Sequence, residues 1–576
     1  MGSARKWQLK GEASPLADVI ANEFRMPTPV AQALVLRGVS TPDEVRAYFD
    51  PGLSRLGDPF LLPDMELGVA RIWKAIEAGE PIVVHGDYDV DGITSTALMV
   101  EVLTALGGKV AYFVPHRIHH GYGLSEQTFA CCQALNDPKL IITVDCGTGS
   151  VEAAAAAKAA GVDLIVTDHH EPGGDVAEAL AVINPKLGDD FELQQLAGVG
   201  VAFKLCHGLV ARGRKDGHVG AKELDLRNWL HFVAMGTIAD MVPLRRENRV
   251  LASNGMKALN RKGLVPIDAL RQVADVRQQL RSYHVGFVLG PRINAAGRLD
   301  DPTEALRLLL SSDPKEAAAL ARELDAVNRD RQQVEAGMVN EAVAGIESWF
   351  DPDEHYVIVV DGADWHPGVV GIVASRLVNR YHRPAIVLGV DEGMAKGSCR
   401  SVEGFNLIEH LDQVSELLDQ YGGHQMAAGV ELQADRVTEF RTALNAVAKQ
   451  TLSEADLRPV QRIDTWIELQ DVTRELVHWI RRMEPFGLEN PRPVWASAEL
   501  DVVQGPTVVG EKHLRFRVAT GETEIDAIAF NMAREEFPDS DRIDVAYEAQ
   551  LNAFRGQENL QMQVKAIRAA TGGSQP

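Results

Sequence analysis

Short apolar runs alternate with longer amphipathic segments between about residue 80 and residue 185. The runs PIVVH, KVAYF, KLIITV, DLIVT and AVI have the length and composition of buried strands. ITSTALMVEVLTALGG and SVEAAAAAKAAGV have the composition of helices between them. Strands and helices that alternate in this order build a parallel sheet with helices on its faces. We therefore expect an α/β domain over residues 80–255.

The flanking segments show a different periodicity. LADVIANEF and ELGVARIWKAIEAG predict short amphipathic helices, which we interpret as an N-terminal helical cap over residues 1–79. Residues 256–350 predict a helical region. It ends in one long helix from about residue 313 that contains few breakers, as expected of a connection between two lobes.

Two further domains follow. HYVIVVDG, GVVGIVASRLVNRY and PAIVLGV predict a second, smaller α/β domain over residues 351–452, in which MAKGSCRS and YGGHQMAAGV are interpreted as glycine-rich turns. From about residue 456 to residue 570 the chain changes to short β-like runs with turn signals between them, which predict a small barrel or sandwich.

Composition restricts the class of protein. With 576 residues, 45% hydrophobic and 24% charged, the chain is expected to form several globular domains. Five cysteines without a repeated spacing indicate reduced thiols rather than a disulfide framework or a zinc site. The N-terminus lacks the apolar core of a secretory signal, and no stretch of 18 apolar residues occurs. We therefore expect a cytoplasmic protein without membrane contact.

The net charge of −23 is unfavourable for binding a polyanion over a large surface. If the protein binds nucleic acid, it must use a local basic groove and bound cations. The glycine-containing turns match neither the GxxxxGK[ST] pattern nor GxGxxG in a suitable context, which argues against a nucleoside triphosphatase and a dehydrogenase.

Acidic and imidazole side chains follow the predicted strands and one predicted buried helix. These candidates are His85, Asp87, Asp89, Asp91, Asp145, Asp168, His169, His170 and Asp240. In open parallel sheets, residues that follow different strands converge at the carboxyl edge, where ligands bind. Two carboxylates about 4 Å apart repel by about 4 kcal/mol at an effective dielectric constant of 20, and few Lys or Arg residues are near to offset this.

Divalent cations would compensate this charge. Mixed carboxylate and imidazole ligands suit Mn²⁺, and carboxylate-rich sites suit Mg²⁺. Taken alone, Asp145 is more readily explained as a turn former or helix cap, and His170 as a surface histidine. The joint occurrence of four such clusters on one predicted sheet favours a metal centre that hydrolyses phosphate esters.

The order HGDYDVDG, VDCGTG, DHH and GTIADMVPL resembles the four motifs of the DHH phosphoesterase superfamily. YGGHQMAAGV is similar to the GGH signature of the DHH-associated domain. PHRIHHGYGL, GPRINAAGRLDDP, DWHPGVVGIVASRL and the β-rich C-terminal module resemble the bacterial single-strand-specific exonucleases of this superfamily. The resemblance extends from about residue 15 to residue 570, and it implies an OB-like barrel at the C-terminus.

The resemblance also implies roles for individual residues. One cation would be held by His85, Asp89 and Asp145, and a second by Asp91, Asp145, His169 and Asp240. Asp87 would be a ligand or a support. His170 would contact the scissile phosphate, and Asp168 would orient a histidine. The residues that would contact DNA phosphates are Arg117, Arg298, Ser398, Arg400 and His424.

Structural alternatives remain for three of these features. Arg298 could equally form an ion pair with Asp300 or Asp301, and His424 alone is more readily a loop histidine. The alternation of Arg and Phe in HLRFRVAT suits single-strand binding by a barrel, but an ordinary half-buried strand explains it slightly better.

The function that the resemblance implies is a Mn²⁺- or Mg²⁺-dependent exonuclease with two cations. It would degrade single-stranded DNA from 5′ to 3′ into nucleoside 5′-monophosphates during recombination and repair. The alternatives are a phosphoesterase for small substrates and a non-catalytic scaffold on single strands. A single-strand-binding protein and a RecQ-type helicase are the implied partners, and nothing in the sequence demands more than a monomer.

Overall fold

A computed structural model describes residues 5–533, 537–554 and 557–570. The chain divides into two units. The first unit comprises Asp43–Asp330 and Met483–Pro491. The second comprises the described parts of Met1–Pro42, Arg331–Arg482 and Arg492–Pro576. The predicted N-terminal segment 1–79 is thus divided between the two units at residue 42.

A five-stranded parallel sheet forms the centre of the first unit. Its strands lie in the order Lys109–Phe113, Pro81–His85, Leu140–Val144, Asp163–Thr167 and Ala181–Ile183. The central strand Leu140–Val144 is buried along its whole length, as expected for a parallel strand covered on both faces. All five predicted strands are therefore present.

Helices surround this sheet and continue beyond it. The α-helices of this unit are Pro42–Phe49, Met65–Ala78, Val90–Ala105, Arg117–His120, Glu126–Gln133, Val151–Ala160, Gly198–Asp216, Val219–Glu223, Leu230–Ala239, Arg246–Leu259, Val265–Val273, Ser282–His284, Gly290–Leu299 and Thr303–Leu310. A π-helix covers Val285–Leu289, and 3₁₀ turns cover Leu53–Arg55, Pro59–Leu61, Pro185–Leu187, Leu193–Gln195 and Leu226–Asn228. The predicted long helix is Pro314–Glu347, and the boundary between the two units falls within it.

The second unit contains a mixed five-stranded sheet. Its strands lie in the order Gln420–Gly423, Ala427–Gln433, Met394–Arg400, Ala385–Asp391 and Ile358–Ala363, and only the last two are parallel. The α-helices Val370–Tyr381, Leu407–Asp412 and Val437–Thr451 and the 3₁₀ turns Ser415–Leu417 and Ala434–Arg436 accompany it.

The prediction of a turn at MAKGSCRS is wrong, because this string forms a strand of the sheet. In YGGHQMAAGV the turn is confined to residues 424–426, which connect the antiparallel strands Gln420–Gly423 and Ala427–Gln433. Met394–Arg400 pairs on both sides, with Ala385–Asp391 and with Ala427–Gln433. A Cβ atom on Gly397 would lie 1.9 Å from the carbonyl oxygen of Val387, so the strand requires glycine at this position. The glycines that suggested a turn therefore allow close contact between strands.

A closed β-barrel completes the second unit. Trp495–Val509, His513–Thr520, Thr523–Ala529, Gln557–Ala569 and Arg542–Phe554 pair in this order, and the last strand pairs again with the first. Phe516 is buried, and both Arg515 and Arg517 pair with Asp526, as an ordinary half-buried strand requires. The predicted fold class, which combines two α/β domains, a long helix and an OB-like barrel, is confirmed.

Short elements join the barrel to the N-terminus within the same unit. Strand Lys6–Leu9 pairs in parallel with Val460–Ile463, and Thr465–Trp466 pairs with the start of Trp495–Val509. The remaining helical elements are Pro15–Phe24, Thr28–Val35, Leu469–Asp471 and Arg474–Arg482. None of the helices in the described part of the chain combines the length and apolarity that a membrane crossing requires.

Candidate metal centre

The carboxyl edge of the parallel sheet collects the acidic and imidazole side chains of the first unit. His85 ends one strand and lies in register with Thr143 of the neighbouring strand, which Asp145 follows after one residue. His169 follows the next strand along the sheet. Asp240 reaches the same place from the C-terminal end of helix Leu230–Ala239. The order of strands and helices therefore brings these side chains together, as the sequence predicts.

His169 lies at the centre of this cluster. Its Nε2 atom is 3.1 Å from Oδ1 of Asp145, 3.7 Å from Oδ2 of Asp240 and 3.9 Å from Oδ2 of Asp91. Asp87, Asp89 and Asp145 form a second group whose ligand atoms all lie within 4.8 Å of one another. Asp145 belongs to both neighbourhoods. These seven residues, His85, Asp87, Asp89, Asp91, Asp145, His169 and Asp240, are called the candidate metal centre below.

Backbone amides hold two of the carboxylates in place. Asp89 caps helix Val90–Ala105, and its Oδ1 accepts hydrogen bonds from the amides of Asp91 and Gly92 at 2.8 and 3.0 Å. Asp91 accepts from the amides of Gly198 and Val199 at 2.7 and 2.9 Å, at the start of helix Gly198–Asp216. The positive ends of two helices thus stabilise and orient these side chains.

Four atoms of the candidate metal centre are buried without a hydrogen-bond partner. They are Nε2 of His85, Oδ1 of Asp87, Oδ1 of Asp145 and Nε2 of His169. Burial of an unsatisfied polar atom costs free energy, and unsatisfied buried groups in native structures therefore call for an explanation. Carboxylate and neutral imidazole are ligands for divalent cations, so these residues fit a metal site.

Burial and mutual repulsion change the protonation of the cluster. Burial, reinforced by Asp89, raises the pKa of Asp91 to about 7. Burial and the neighbouring carboxylates raise the pKa of Asp240 to about 9, and that of Asp145 rises well above its ordinary value. Burial lowers the pKa of His85 to about 4 and that of His169 to about 3, so both imidazoles are neutral and able to bind a metal.

Asp168 and His170 form a separate pair beside the cluster. Nδ1 of His170 donates to Oδ1 of Asp168 at 2.8 Å, and the amides of Thr148, His169 and His170 also donate to Asp168. Burial of Asp168 opposes its ionisation, but the bonds from His170 and Thr148 lower its pKa to about 2. Burial also opposes the charged form of His170, but the bond to Asp168 outweighs it and raises the pKa of His170. Nε2 of His170 lies 3.4 Å from the hydroxyl of Tyr122.

Arg117 and Arg298 both lie near the loop that carries Asp87, Asp89 and Asp91. The Arg117 guanidinium is 5.3 Å from the centre of the Tyr88 ring. Arg298 belongs to helix Gly290–Leu299, which contacts this loop, since a Cβ atom on Gly297 would lie 2.6 Å from the carbonyl oxygen of Tyr88. Both arginines also act electrostatically on Tyr88.

The second unit holds the other three predicted phosphate contacts. Ser398 and Arg400 lie on strand Met394–Arg400, and Arg400 is in register with Ala427. The amide of His424 donates to the carbonyl of Ala427 at 2.8 Å. A Cβ atom on Gly371 would lie within 3.5 Å of both Ser398 and Arg400, so helix Val370–Tyr381 passes next to these residues.

Several residues at the site were not predicted from the sequence. The hydroxyl of Tyr122 is 3.2 Å from Nδ1 of His170, and Asn184 donates to the carbonyl of His170 at 2.9 Å. Sγ of Cys146 lies 3.7 Å from Nδ1 of His85, and Asn294 accepts from the amide of Val90 at 2.9 Å. Tyr122, Cys146 and Asn294 lie within the noted strings PHRIHHGYGL, VDCGTG and GPRINAAGRLDDP, but nothing in those strings indicated their contacts.

Comparison with protein families matches three parts of the chain. Residues 81–237 match the N-terminal domain of the DHH family, residues 354–450 match the DHHA1 domain, and residues 463–566 match the RecJ OB domain. Together these matches cover the parallel sheet, the mixed sheet and the barrel.

Characterised proteins match over nearly the whole chain. The single-stranded-DNA-specific exonuclease RecJ of Bacillus subtilis (strain 168) is 37% identical over 574 residues, which cover 98% of this chain and 71% of the relative. The crystal structure of RecJ from Thermus thermophilus in complex with Mn²⁺ has a TM-score of 0.82 at 30% identity and covers 98% of this chain and 79% of that one. The structure of the Thermus protein in complex with Mg²⁺ has a TM-score of 0.74 at 28% identity and covers 98% and 78%.

Proposed function

The chain belongs to the RecJ family of single-stranded-DNA-specific exonucleases, and we propose that it degrades single-stranded DNA from the 5′ end in recombination and repair. The products are nucleoside 5′-monophosphates. The enzyme is a phosphodiesterase of the DHH class and depends on a divalent cation, as suggested by the Mn²⁺ and Mg²⁺ complexes of the Thermus relative.

The observation that carries this proposal is the set of buried atoms without partners around His169 and Asp145. His85, Asp89 and Asp145 would hold one cation, with Asp87 as a further ligand or a support. Asp91, Asp145, His169 and Asp240 would hold a second. Divalent cations held by these residues would supply positive charge next to the phosphate and would lower the pKa of water.

The residues of the chain contribute positioning and proton control. His170 donates from Nε2 to an oxygen of the scissile phosphate, since Asp168 keeps the proton of Nδ1 in place and favours the charged ring. Arg117 and Arg298 bind phosphate next to the loop of Asp87, Asp89 and Asp91. Ser398, Arg400 and His424 provide further phosphate contacts from the second unit.

The barrel and the partners complete the proposal. The match to the RecJ OB domain supports binding of the strand by the C-terminal module, since such barrels commonly bind single-stranded nucleic acids. A single-strand-binding protein and a RecQ-type helicase as partners, and a monomer as the working form, are predictions that rest on the resemblance alone.

Digestion of end-labelled DNA tests this function. With Mn²⁺ or Mg²⁺, a single strand labelled at its 5′ end should release labelled mononucleotide at once, whereas a 3′ label should stay on long fragments until late. Blunt duplex and an EDTA-containing reaction serve as controls. Faster cleavage of dinucleotides than of long strands would favour a small-substrate phosphoesterase, and binding without turnover across pH 7–9 would favour a scaffold.

A further inference from the structure

Two large aromatic side chains of the first unit are stacked on each other in solvent. The rings of Tyr283 and Phe287 have centroids 5.3 Å apart and planes inclined by 26°. Tyr283 is 63% exposed and Phe287 is 72% exposed. We refer to these two residues as the aromatic pair. Exposure of so much apolar ring surface at one place is unfavourable in water and indicates a binding role.

The aromatic pair lies on a rigid and unusual element. Ser282–His284, the π-helix Val285–Leu289 and Gly290–Leu299 follow one another with helical backbone angles at both junctions. The side chains of Val285 and Leu289 on the opposite face are fully buried, and Nδ1 of His284 accepts from the amide of Arg281 at 2.9 Å. Single π turns inside helices are frequent at functional sites.

The same helix leads to the candidate metal centre. Asn294 accepts a hydrogen bond from the amide of Val90, between Asp89 and Asp91. Arg298 lies one turn further on. At a rise of about 1.5 Å per residue, Phe287 is roughly 16 Å along the helix from Arg298, which a single strand spans with a few nucleotides. The aromatic pair therefore lies on the same run of helix as Arg298, one of the proposed phosphate contacts.

The charge around the pair also suits a nucleic acid. Between Val276 and Leu299 the chain contains four arginines and no Asp or Glu, although the whole chain has a net charge of −23. Three of these arginines form ion pairs, Arg277 with Asp275, Arg281 with Glu484 and Arg292 with Asp325. Arg277 and Arg281, six and two residues before Tyr283, nevertheless remain 85% and 43% exposed. A phosphate backbone can approach these guanidinium groups while its bases reach the rings.

We propose that the aromatic pair is a stacking platform for bases of the substrate strand, a few nucleotides to the 3′ side of the scissile bond. This inference rests on the proposed function and adds two positioning residues to it. Aromatic rings stack on every type of base, so the platform would hold the strand without selecting its sequence. Its expected contribution is to KM for strands long enough to reach it, and not to kcat.

Steady-state kinetics of the variant Tyr283→Ala/Phe287→Ala test this inference. KM for a long oligonucleotide should rise roughly ten- to a hundredfold, as expected from the loss of one or two stacked bases, with kcat unchanged. KM for a dinucleotide should stay the same. The conservative variant Tyr283→Phe/Phe287→Tyr should retain wild-type values. Phe191→Ala is the matched control, since Phe191 is 67% exposed in the same unit.

A binding measurement without turnover separates the platform from the proposed function. Oligonucleotides with 2-aminopurine at successive positions from the 5′ end are titrated with the full chain in EDTA. The wild type should quench fluorescence most strongly at one or two interior positions, and the double alanine variant should not. If the chain gives this quenching pattern but does not cleave DNA, the proposed exonuclease function is refuted and the stacking role of the aromatic pair is supported. Equal KM and equal quenching in wild type and variant would overturn the platform and indicate a protein-docking surface instead.

Discussion

Two buried aspartates, one in each unit, show how differently the protein treats a charge in its interior. Asp464 of the second unit is fully buried and accepts hydrogen bonds from Lys10 at 2.7 Å, Arg37 at 3.0 Å and the amide of Val494 at 2.9 Å. Asp145 of the first unit is equally buried, but its Oδ1 has no hydrogen-bond donor, and its neighbours are the neutral imidazole of His169 and other carboxylates.

The comparison separates a structural from a functional carboxylate. The charge of Asp464 is neutralised by side chains of the chain itself, so its burial stabilises the junction between the N-terminal strand and the barrel. Burial and the neighbouring carboxylates raise the pKa of Asp145 well above its ordinary value, and a bound cation would stabilise its charged form. Burial alone would not distinguish the two residues, whereas the identity of their neighbours does.

The largest expected effect is on activity at the unneutralised aspartate. Asp145→Asn removes a ligand that both proposed cations share, and we expect exonuclease activity to fall by about 10²–10³-fold. The fold should persist, since the substitution keeps the shape of the side chain and removes repulsion. Activity on a labelled single strand and circular dichroism are the two measurements. A variant with near wild-type turnover in Mn²⁺ would contradict the assignment of Asp145.

The matched substitution at the neutralised aspartate should have the opposite pattern. Asp464→Asn leaves Lys10 and Arg37 without their shared carboxylate, and breaking a buried pair of this kind costs about 3–5 kcal/mol. We expect a lower midpoint of thermal unfolding and unchanged kcat at temperatures where the variant is folded. Unaltered stability, or a large loss of kcat in the folded variant, would remove the distinction between the two sites.

The parallel sheet and its acidic edge could be predicted because each local signal agrees with the global topology. Each of its strands is a short apolar run, and acidic or imidazole residues directly follow three of them, so position in the sequence already implies position at the edge. The strand Met394–Arg400 could not be found in this way. Its side chains are small or polar, and pairing on both sides makes it a strand.

Contacts between distant segments of the chain could not be predicted from the sequence either. The amides of Gly198 and Val199 that bind Asp91, and Asn294 that binds the amide of Val90, are about 110 and 200 residues away from their partners. No periodicity or local motif reports such a contact. The same holds for residues 5–42, which group with the C-terminal unit through a strand of four residues and through the bonds of Lys10 and Arg37 to Asp464. These parts require the three-dimensional arrangement of the chain.

Stability as a function of pH and metal sharpens the comparison further. The pKa values of Asp91 and Asp240 are raised to about 7 and about 9 in the folded chain, so between about pH 7 and pH 9, where the neutral His85 and His169 no longer contribute, these carboxyls bind more protons in the folded than in the unfolded state. In EDTA the stability of the first unit should therefore fall as pH rises toward 9. Saturating Mn²⁺ should reverse this trend and add about 2.7 kcal/mol at a hundredfold excess over Kd.

Thermal unfolding in EDTA and in Mn²⁺ at several pH values measures this effect. Asp145→Asn is the informative variant, because it should reduce the gain in stability from Mn²⁺. Asp464→Asn should lower the baseline of the second unit and leave the gain from Mn²⁺ intact. A stability that rises with pH in EDTA would contradict the raised pKa values of the clustered carboxyls. A gain from Mn²⁺ that Asp145→Asn leaves unchanged would contradict the assignment of Asp145 as a metal ligand.

The smallest expected effect concerns Asp168, a buried carboxylate of the first unit that behaves like Asp464 because its bonds are satisfied. Asp168→Asn removes the charge that raises the pKa of His170, and we expect kcat to fall roughly 10–100-fold. The charged form of His170 is lost as pH rises through its pKa, so the alkaline limb of the kcat profile should move to lower pH in the variant. His170→Gln should abolish that limb, and an alkaline limb at the same pH in all three proteins would assign it to another group.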